Sequence, residues 1–324
     1  MASARTRRYG VLTPGRAGDF ILITGLLNVL KAHDPSAELT VVVGPRAAEM
    51  ARRHPAVDRV LLFDRHPLKL LPFLFRLRDR VFDVWIDPKD HFSRSQSLVA
   101  RATRASLKIG FNRPGGGAFD RPLIPVDRPR YHWVDMMMAP LATLGIGWDG
   151  PPPLSLGLPE GSVVRAEHLL RHRVPLEVLV NLSAGARARY WSEEKWREFL
   201  AQGAEIGPTR FWLSASPEDG ALAGRILAEG RAAGANVVGI PAGSLLDLAA
   251  VVQRVDLVVS MDTSIIHLAA VYDRPVLGLY TIAEPNFTRF RPLSTVQEVV
   301  QGERIGDIPV PEIVAAYQRL LARR

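Results

Sequence analysis

Leu257-Val258-Val259-Ser260-Met261-Asp262-Thr263-Ser264-Ile265-Ile266-His267-Leu268-Ala269-Ala270 passes from an aliphatic, β-branched run to a helix-forming run within a few residues. The first part has the near-continuous apolar character of a strand buried on both faces, and the second suits a helix that covers a sheet. Between them stand an acid and two hydroxyls, Asp262, Thr263 and Ser264, where a strand's carboxyl end meets a helix's amino end. In α/β sheets this is where ligands collect. Thr263 or Ser264 can cap the helix, and His267 reads either as a site residue or as a satisfied core histidine.

The same alternation extends in both directions. Strands are predicted at Tyr9–Thr13, Glu38–Val43, Val60–Phe63, Phe82–Ile86 and Leu107–Phe111, with helical stretches near Asp19–Ala32, Arg46–Arg53, Leu68–Arg80, Ser93–Thr103 and Tyr131–Leu144. Gly145-Ile146-Gly147-Trp148-Asp149-Gly150-Pro151-Pro152-Pro153 cannot continue a helix and reads as an interdomain linker. The pattern then restarts, with strands at Leu176–Leu182, Arg210–Ser214, Asn236–Ile240, Leu257–Ser260 and Pro275–Tyr280, and a helix opened by the Ser244/Asp247 capping box. Pro311–Arg323 is a closing helix with proline in its first turn. The expectation is an α/β protein of two Rossmann-like domains, residues 1–150 and 151–310, whose parallel sheets face a central cleft. The closing helix is free to return to the first domain.

Three further loops follow predicted strands. Pro14-Gly15-Arg16-Ala17-Gly18-Asp19 brings Asp19 to the start of a helix, where a plain capping role competes with a chemical one. Ser183-Ala184-Gly185-Ala186-Arg187-Ala188-Arg189 combines small residues with two arginines before a helix. Its backbone N–H groups and guanidinium donors suit a phosphate, and a solvated arginine loop is the alternative. Asp87-Pro88-Lys89-Asp90-His91 is a charged cluster ending the Phe82–Ile86 strand.

The chain has 324 residues, 47% hydrophobic and 23% charged, and no cysteine. Disulfides, thiol nucleophiles and Cys-ligated metals are thereby excluded. Its net charge is +8 (41 Lys+Arg against 33 Asp+Glu). Residues 1–150 hold 23 basic and 14 acidic side chains, a balance of +9, which leaves 18 against 19, or −1, for the rest. The first half therefore expects an anionic partner. The longest apolar run, Phe20–Leu30, spans about 11 residues where a bilayer needs roughly 20, and no signal-peptide pattern precedes it. A cytoplasmic protein is expected.

No G-x-x-x-x-G-K-[ST], G-x-S-x-G, H-E-x-x-H or D-x-D occurs. The one G-x-G-x-x-G, Gly145–Gly150, follows a helix and runs into prolines, the wrong setting for a dinucleotide fingerprint. A bound pyrophosphate must then be neutralised by protein cations and helix ends.

Taken in order, Gly18-Asp19 after the first strand, the small-residue loop ending in Arg189 and Trp191, and Val259-Ser260-Met261-Asp262-Thr263-Ser264-Ile265-Ile266-His267 resemble glycosyltransferase family 9, the ADP-heptose:lipopolysaccharide heptosyltransferases. The resemblance runs from Gly10 to about Pro292. It implies a GT-B fold with an N-terminal acceptor domain, a C-terminal nucleotide-sugar domain, and inverting, metal-independent transfer with no cofactor beyond the ADP-sugar co-substrate. By resemblance Asp19 is the general base, Asp262 holds the donor sugar, and Arg189 stands beside the phosphates. Thr263 and Ser264 meet the diphosphate, Glu218 the ribose, and Gly243 lines the adenine loop. Ser183, Gly185, Arg187 and His267 complete the expected donor site. Arg16, Lys89, Asp90 and His91 are assigned to the acceptor.

Three features depart from the family pattern. Thr263-Ser264-Ile265-Ile266-His267 replaces Ser/Thr-Gly-Pro-x-His, arginine stands at 189 for the usual lysine, and Asp87-Pro88-Lys89-Asp90-His91 stands for Asp-x-Gln-Gly. The expected partners are a nucleotide-sugar donor, an anionic lipopolysaccharide-type acceptor and the inner-membrane surface, with Leu68–Arg80 either an ordinary amphipathic helix or an interfacial element. Alternatives are a GT-B enzyme for another nucleotide sugar, for a protein or small-molecule acceptor, or for epimerisation. Nucleic-acid binding is suggested by charge alone, and no RRM-, KH- or helix-turn-helix-like signature accompanies it.

Overall fold

In the computed structural model, which describes residues 6–64, 66–89, 91–113, 116–123, 130–282 and 286–324, the alternating pattern forms two α/β units, residues 1–157 and 158–324. The first runs β1 (Arg8–Thr13), α1 (Ala17–His33), β2 (Glu38–Val43), α2 (Ala48–Arg53), β3 (Arg59–Leu62), α3 (Pro67–Arg78), β4 (Val81–Ile86), α4 (Arg94–Ala102), β5 (Arg104–Gly110), β6 (Arg121–Pro122) and α5 (Trp133–Leu144). The second opens with α6 (Glu160–Leu169), β7 (Leu176–Asn181), α7 (Glu193–Ile206), β8 (Thr209–Ser214), α8 (Gly220–Ala232) and β9 (Val237–Gly239). It continues with α9 (Leu245–Val252), β10 (Leu257–Met261), α10 (Ser264–Val271), β11 (Val276–Thr281), α11 (Asn286–Phe290), β12 (Gln297–Gly302) and α12 (Val310–Ala322).

Among the described residues each unit holds one six-stranded sheet, ordered β3-β2-β1-β4-β5-β6 and β9-β8-β7-β10-β11-β12, with every pair parallel. The two orders are the same, 3-2-1-4-5-6. The chain reverses direction across the sheet between β1 and β4 in one unit and between β7 and β10 in the other, which places a crevice at the carboxyl ends of those strands.

Central strands are apolar because helices cover both of their faces. All six residues of β7 are buried, Glu177 included. Its carboxylate accepts from Trp212 Nε1 at 2.6 Å and from the Val174 amide at 2.9 Å, and the Arg210 guanidinium 3.6 Å away supplies the countercharge. Beside this sheet Trp191 stands edge-on to Trp196 at 4.8 Å, and Phe199 to Tyr317 at 5.6 Å. Tyr317 comes from α12, which with Ile313, Ala316 and Leu320 completes the second unit's core. The closing helix is therefore part of the second unit, whose core uses its buried stripe.

α5 ends at Gly145, whose φ of 70° is the left-handed cap glycine favours. The Gly/Pro stretch beyond it is not a free tether. Asn28 Nδ2 donates to Pro153 O at 2.6 Å and to Ser155 Oγ at 2.8 Å, and the Ser155 amide donates to Thr24 Oγ1 at 3.1 Å. A Cβ on Gly157 would lie 1.7 Å from Arg53 O, so only glycine fits that approach. Residues 145–157 thus belong structurally to the first unit.

Two strands have no counterpart in the apolar pattern. β6 is two exposed residues, and β12 buries only Val300 fully, since an edge strand needs little beyond backbone pairing. Among the described residues no helix is long and apolar enough to cross a membrane.

Candidate functional site

In the second unit the carboxyl ends of β7, β8, β9 and β10 surround a cleft of about 340 Å³. β7 supplies Asn181, Ser183 and Gly185, β8 leads to Ser214–Pro217, β9 to Ile240–Leu245, and β10 to Thr263 and Ser264. Five expected donor-site residues, Ser183, Gly185, Gly243, Thr263 and Ser264, are brought together here.

Small side chains leave room, and polar ones fix the loops. Asn181 Nδ2 donates to Ser183 O at 2.9 Å, Ser260 Oγ at 3.0 Å and Thr263 Oγ1 at 3.3 Å, tying the β7 loop to the β10 loop. Ser183 Oγ accepts from the Ser216 amide at 2.7 Å and holds the β8 loop. Thr263 caps α10 by accepting from the Ile265 amide at 3.2 Å. Ser244 caps α9, and Asp247 Oδ2 returns the contact by accepting from the Ser244 amide at 2.8 Å. Burial pushes the Asp247 carboxyl up, but hydrogen bonds from Ser162, Arg165 and Ser244 outweigh it and hold the group well below the usual range. Two helix N-termini therefore open on this space, α10 with the neutral Thr263 cap and α9 with the Asp247 carboxylate, itself part of the lining, already on its first turn.

Asp262 sits between β10 and the Thr263 cap, 8% exposed. Burial pushes its carboxyl up, and the Arg189 guanidinium pulls it back. Arg189 Nη1 lies 3.0 Å from Asp262 Oδ2. Arg187, in the same short turn, is exposed. Glu218 is exposed one residue beyond the lining, in the turn Pro217–Asp219, and does not line the cleft. His267 does not either. It is buried in α10, its ring 6.2 Å from that of Phe290, as a core histidine would be.

The first unit repeats the arrangement on a smaller scale. The ends of β1 and β4 frame a cavity of about 110 Å³ lined by Thr13–Gly15, Asp19, Asp87–Lys89, Gln96, Trp133 and Met137. Asp19 is the third residue of α1, and its Oδ2 accepts from the Arg16 amide at 2.7 Å. A Cβ on Gly15 would meet that oxygen at 2.2 Å, which explains the glycine. The second carboxylate oxygen accepts no hydrogen bond from any described residue. Asp19 therefore has a capping role and an open oxygen at once.

Lys89 joins Asp19 at the cavity; the Arg16 side chain is exposed, His91 does not line it, and Asp90 lies outside the described residues. Asp87, picked out within the charged cluster after the Phe82–Ile86 strand but given no role of its own, and Gln96, which the sequence did not single out, do line it. Asp87 is 3% exposed, and burial pushes its carboxyl up to about 7. Gln96 is buried, and its Oε1 has no hydrogen-bond partner among the described residues. The available signal for Asp87 was its place as first residue after a central strand.

Two parallel 3-2-1-4-5-6 sheets, each with a crevice at its switch point, are the two Rossmann-like units of a GT-B fold. The chain belongs to glycosyltransferase family 9 (heptosyltransferase), whose model matches residues 72–311. Lipopolysaccharide heptosyltransferase 1 of Escherichia coli O18:K1:H7 is 35% identical over 86% of this chain and 87% of that protein. Its Salmonella typhimurium LT2 counterpart is 31% identical over 86% and 89%. Among solved structures, a family 9 glycosyltransferase from Veillonella parvula superposes with a TM-score of 0.83 at 18% identity, covering 100% of both chains. The E. coli heptosyltransferase WaaC with ADP gives 0.75 at 22% identity, covering 97% and 99%.

Proposed function

We propose that this glycosyltransferase moves a heptose from an ADP-activated donor to the lipopolysaccharide core, with inversion at the anomeric carbon and without a metal. The observation that carries the reading is the second unit's cleft, which the first residues of α9 and α10 line, with the Arg189–Asp262 pair one residue before the Thr263 cap and outside the lining. The identity to lipopolysaccharide heptosyltransferases and the ADP held by a protein of the same fold support the donor and acceptor classes.

In this reading the acceptor hydroxyl attacks the anomeric carbon as its proton passes to Asp19, and the bond to the ADP β-phosphate oxygen breaks. Negative charge grows on the departing diphosphate, where Arg189 and the helix N-termini stabilise the transition state more than the ground state. Asp262 orients the donor sugar and fixes Arg189. The first unit carries the basic surplus, 23 cations against 14 acids, and takes the phosphorylated acceptor. The protein works in the cytoplasm at the membrane face.

Calorimetry against ADP-, UDP- and GDP-sugars tests the donor, with tight binding expected for ADP alone. Turnover in excess chelator with product anomer read by NMR tests the mechanism. UDP or GDP preference, chelator inhibition or a retained anomer each overturns its part.

A further inference from the structure

α3 is apolar on two sides. Phe73 and Leu77 enter the core with Leu12, Val42 and Trp85. On the other side Leu68, Leu71 and Phe75 are 80%, 63% and 66% exposed, and Pro72 is exposed among them. Positions 68, 71, 72 and 75 fall on one stripe of a helix, so the exposed side chains form a continuous patch. Core packing does not account for them.

The patch is bordered by positive charge. Arg76 and Arg78 are exposed and form no ion pair with a described residue. α4 packs against α3 and carries Arg94, Arg101 and the half-exposed Leu98. With Arg113 these two arginines line a cavity of about 480 Å³, and neither makes an ion pair among the described residues. Lys69 is paired to Asp64 at 2.8 Å, and Asp79, the C-cap of the helix, is an exposed acid at its end.

We propose that the α3 face, with the α4 arginines beside it, docks the protein on an anionic phospholipid bilayer. Leucine and phenylalanine flanked by arginines that form no ion pair among the described residues match an acyl–headgroup boundary, where apolar side chains enter and cations meet lipid phosphates. A second copy fits poorly, because a two-fold contact across α3 would set Arg76 and Arg78 near their own counterparts. The inference deepens the proposed acceptor reading, since a lipid-anchored acceptor is met in the plane of its membrane, and the binding itself is measured without sugar transfer.

The test is co-sedimentation with vesicles of phosphatidylcholine alone and of phosphatidylcholine with one third phosphatidylglycerol. Wild-type protein should partition at least about tenfold more strongly onto the anionic vesicles, and added salt should weaken it. Leu71→Glu/Phe75→Glu, at exposed positions, should reduce this to the neutral-vesicle level while keeping the wild-type melting temperature. Arg94→Gln/Arg101→Gln, which leaves the stripe intact, should lower anionic partitioning by about tenfold and flatten its salt dependence. Equal partitioning on both vesicles, unchanged binding by either double variant, or a wild-type dimer in light scattering that Leu71→Glu/Phe75→Glu dissociates would overturn the proposal. Turnover on a water-soluble, deacylated acceptor should be unchanged in Leu71→Glu/Phe75→Glu, and turnover on vesicle-borne acceptor reduced. Absence of transfer to both acceptors by wild-type protein refutes the proposed activity and leaves the vesicle result standing.

Discussion

Arg189 Nη1 reaches Asp262 Oδ2 at 3.0 Å and the Asp262 backbone carbonyl at 3.3 Å, so one guanidinium is anchored at two points of a single residue. The anchor holds a cation beside the α10 N-terminus and compensates a carboxylate that burial disfavours.

Replacing Arg189 by Gln should lower turnover by about 10²–10³, the usual cost of losing one stabiliser of developing charge. Arg189→Lys should recover part of it, because an ammonium keeps the charge and loses the planar fork. Steady-state kinetics on the three enzymes decides the matter, and full activity in Arg189→Gln would remove the residue from the mechanism.

Asp19→Ala should reduce turnover by about 10²–10⁴ if the open carboxylate oxygen takes the acceptor's proton. Donor affinity measured by calorimetry should be unchanged. The lost contact to the Arg16 amide should cost about 1 kcal/mol in denaturant unfolding, a separate effect from the chemistry.

Asn181→Ala removes the donor that joins Ser183, Ser260 and Thr263. Stability should fall by about 1 kcal/mol, the usual net worth of a lost hydrogen bond, since Ser260 and Thr263 keep their other partners. Donor KM should rise with little change in kcat, because the cleft loops loosen and the charged groups remain. A fall in kcat at constant KM would contradict that role.

The Asp87 carboxyl is raised to about 7 in the folded chain, against about 4 unfolded. Between those values the folded state binds a proton that the unfolded state does not, so its contribution is complete below about 4 and is lost as pH rises through about 7. Asp87→Asn, neutral at every pH, should therefore be more stable than wild type at alkaline pH and should lose that advantage as acidity increases. Parallel stability curves in urea across this range would show that the carboxyl is not held protonated.

The strand-to-helix passage at Leu257–Ala270 was legible because a parallel strand announces itself by continuous burial, and Ser244 and Asp247 announced their capping box. The cleft residues followed from being next to strand ends. Asp87 did not yield its role, because its depth depends on β4 lying beside β1, a pairing that local pattern does not encode. α3 was legible as amphipathic but not as two-sided, since only the packed sheet shows that Phe73 and Leu77 suffice to cover it and leave Leu68, Leu71 and Phe75 outside. β12 was missed for a related reason, its partner β11 supplying the order that its own polar sequence does not.

The docking of residues 145–157 onto α1 decides where this chain can be recombined with a relative. A splice at Gly150 would give the incoming half a foreign Pro153 and Ser155 to set against Asn28, Thr24 and His54. A splice after Gly157 keeps every one of those pairs within one parent, along with the tight passage of Gly157 over Arg53. Exchanging residues 1–157 as a cassette is thus the cut that moves the half assigned to the acceptor without breaking the seam on which it folds.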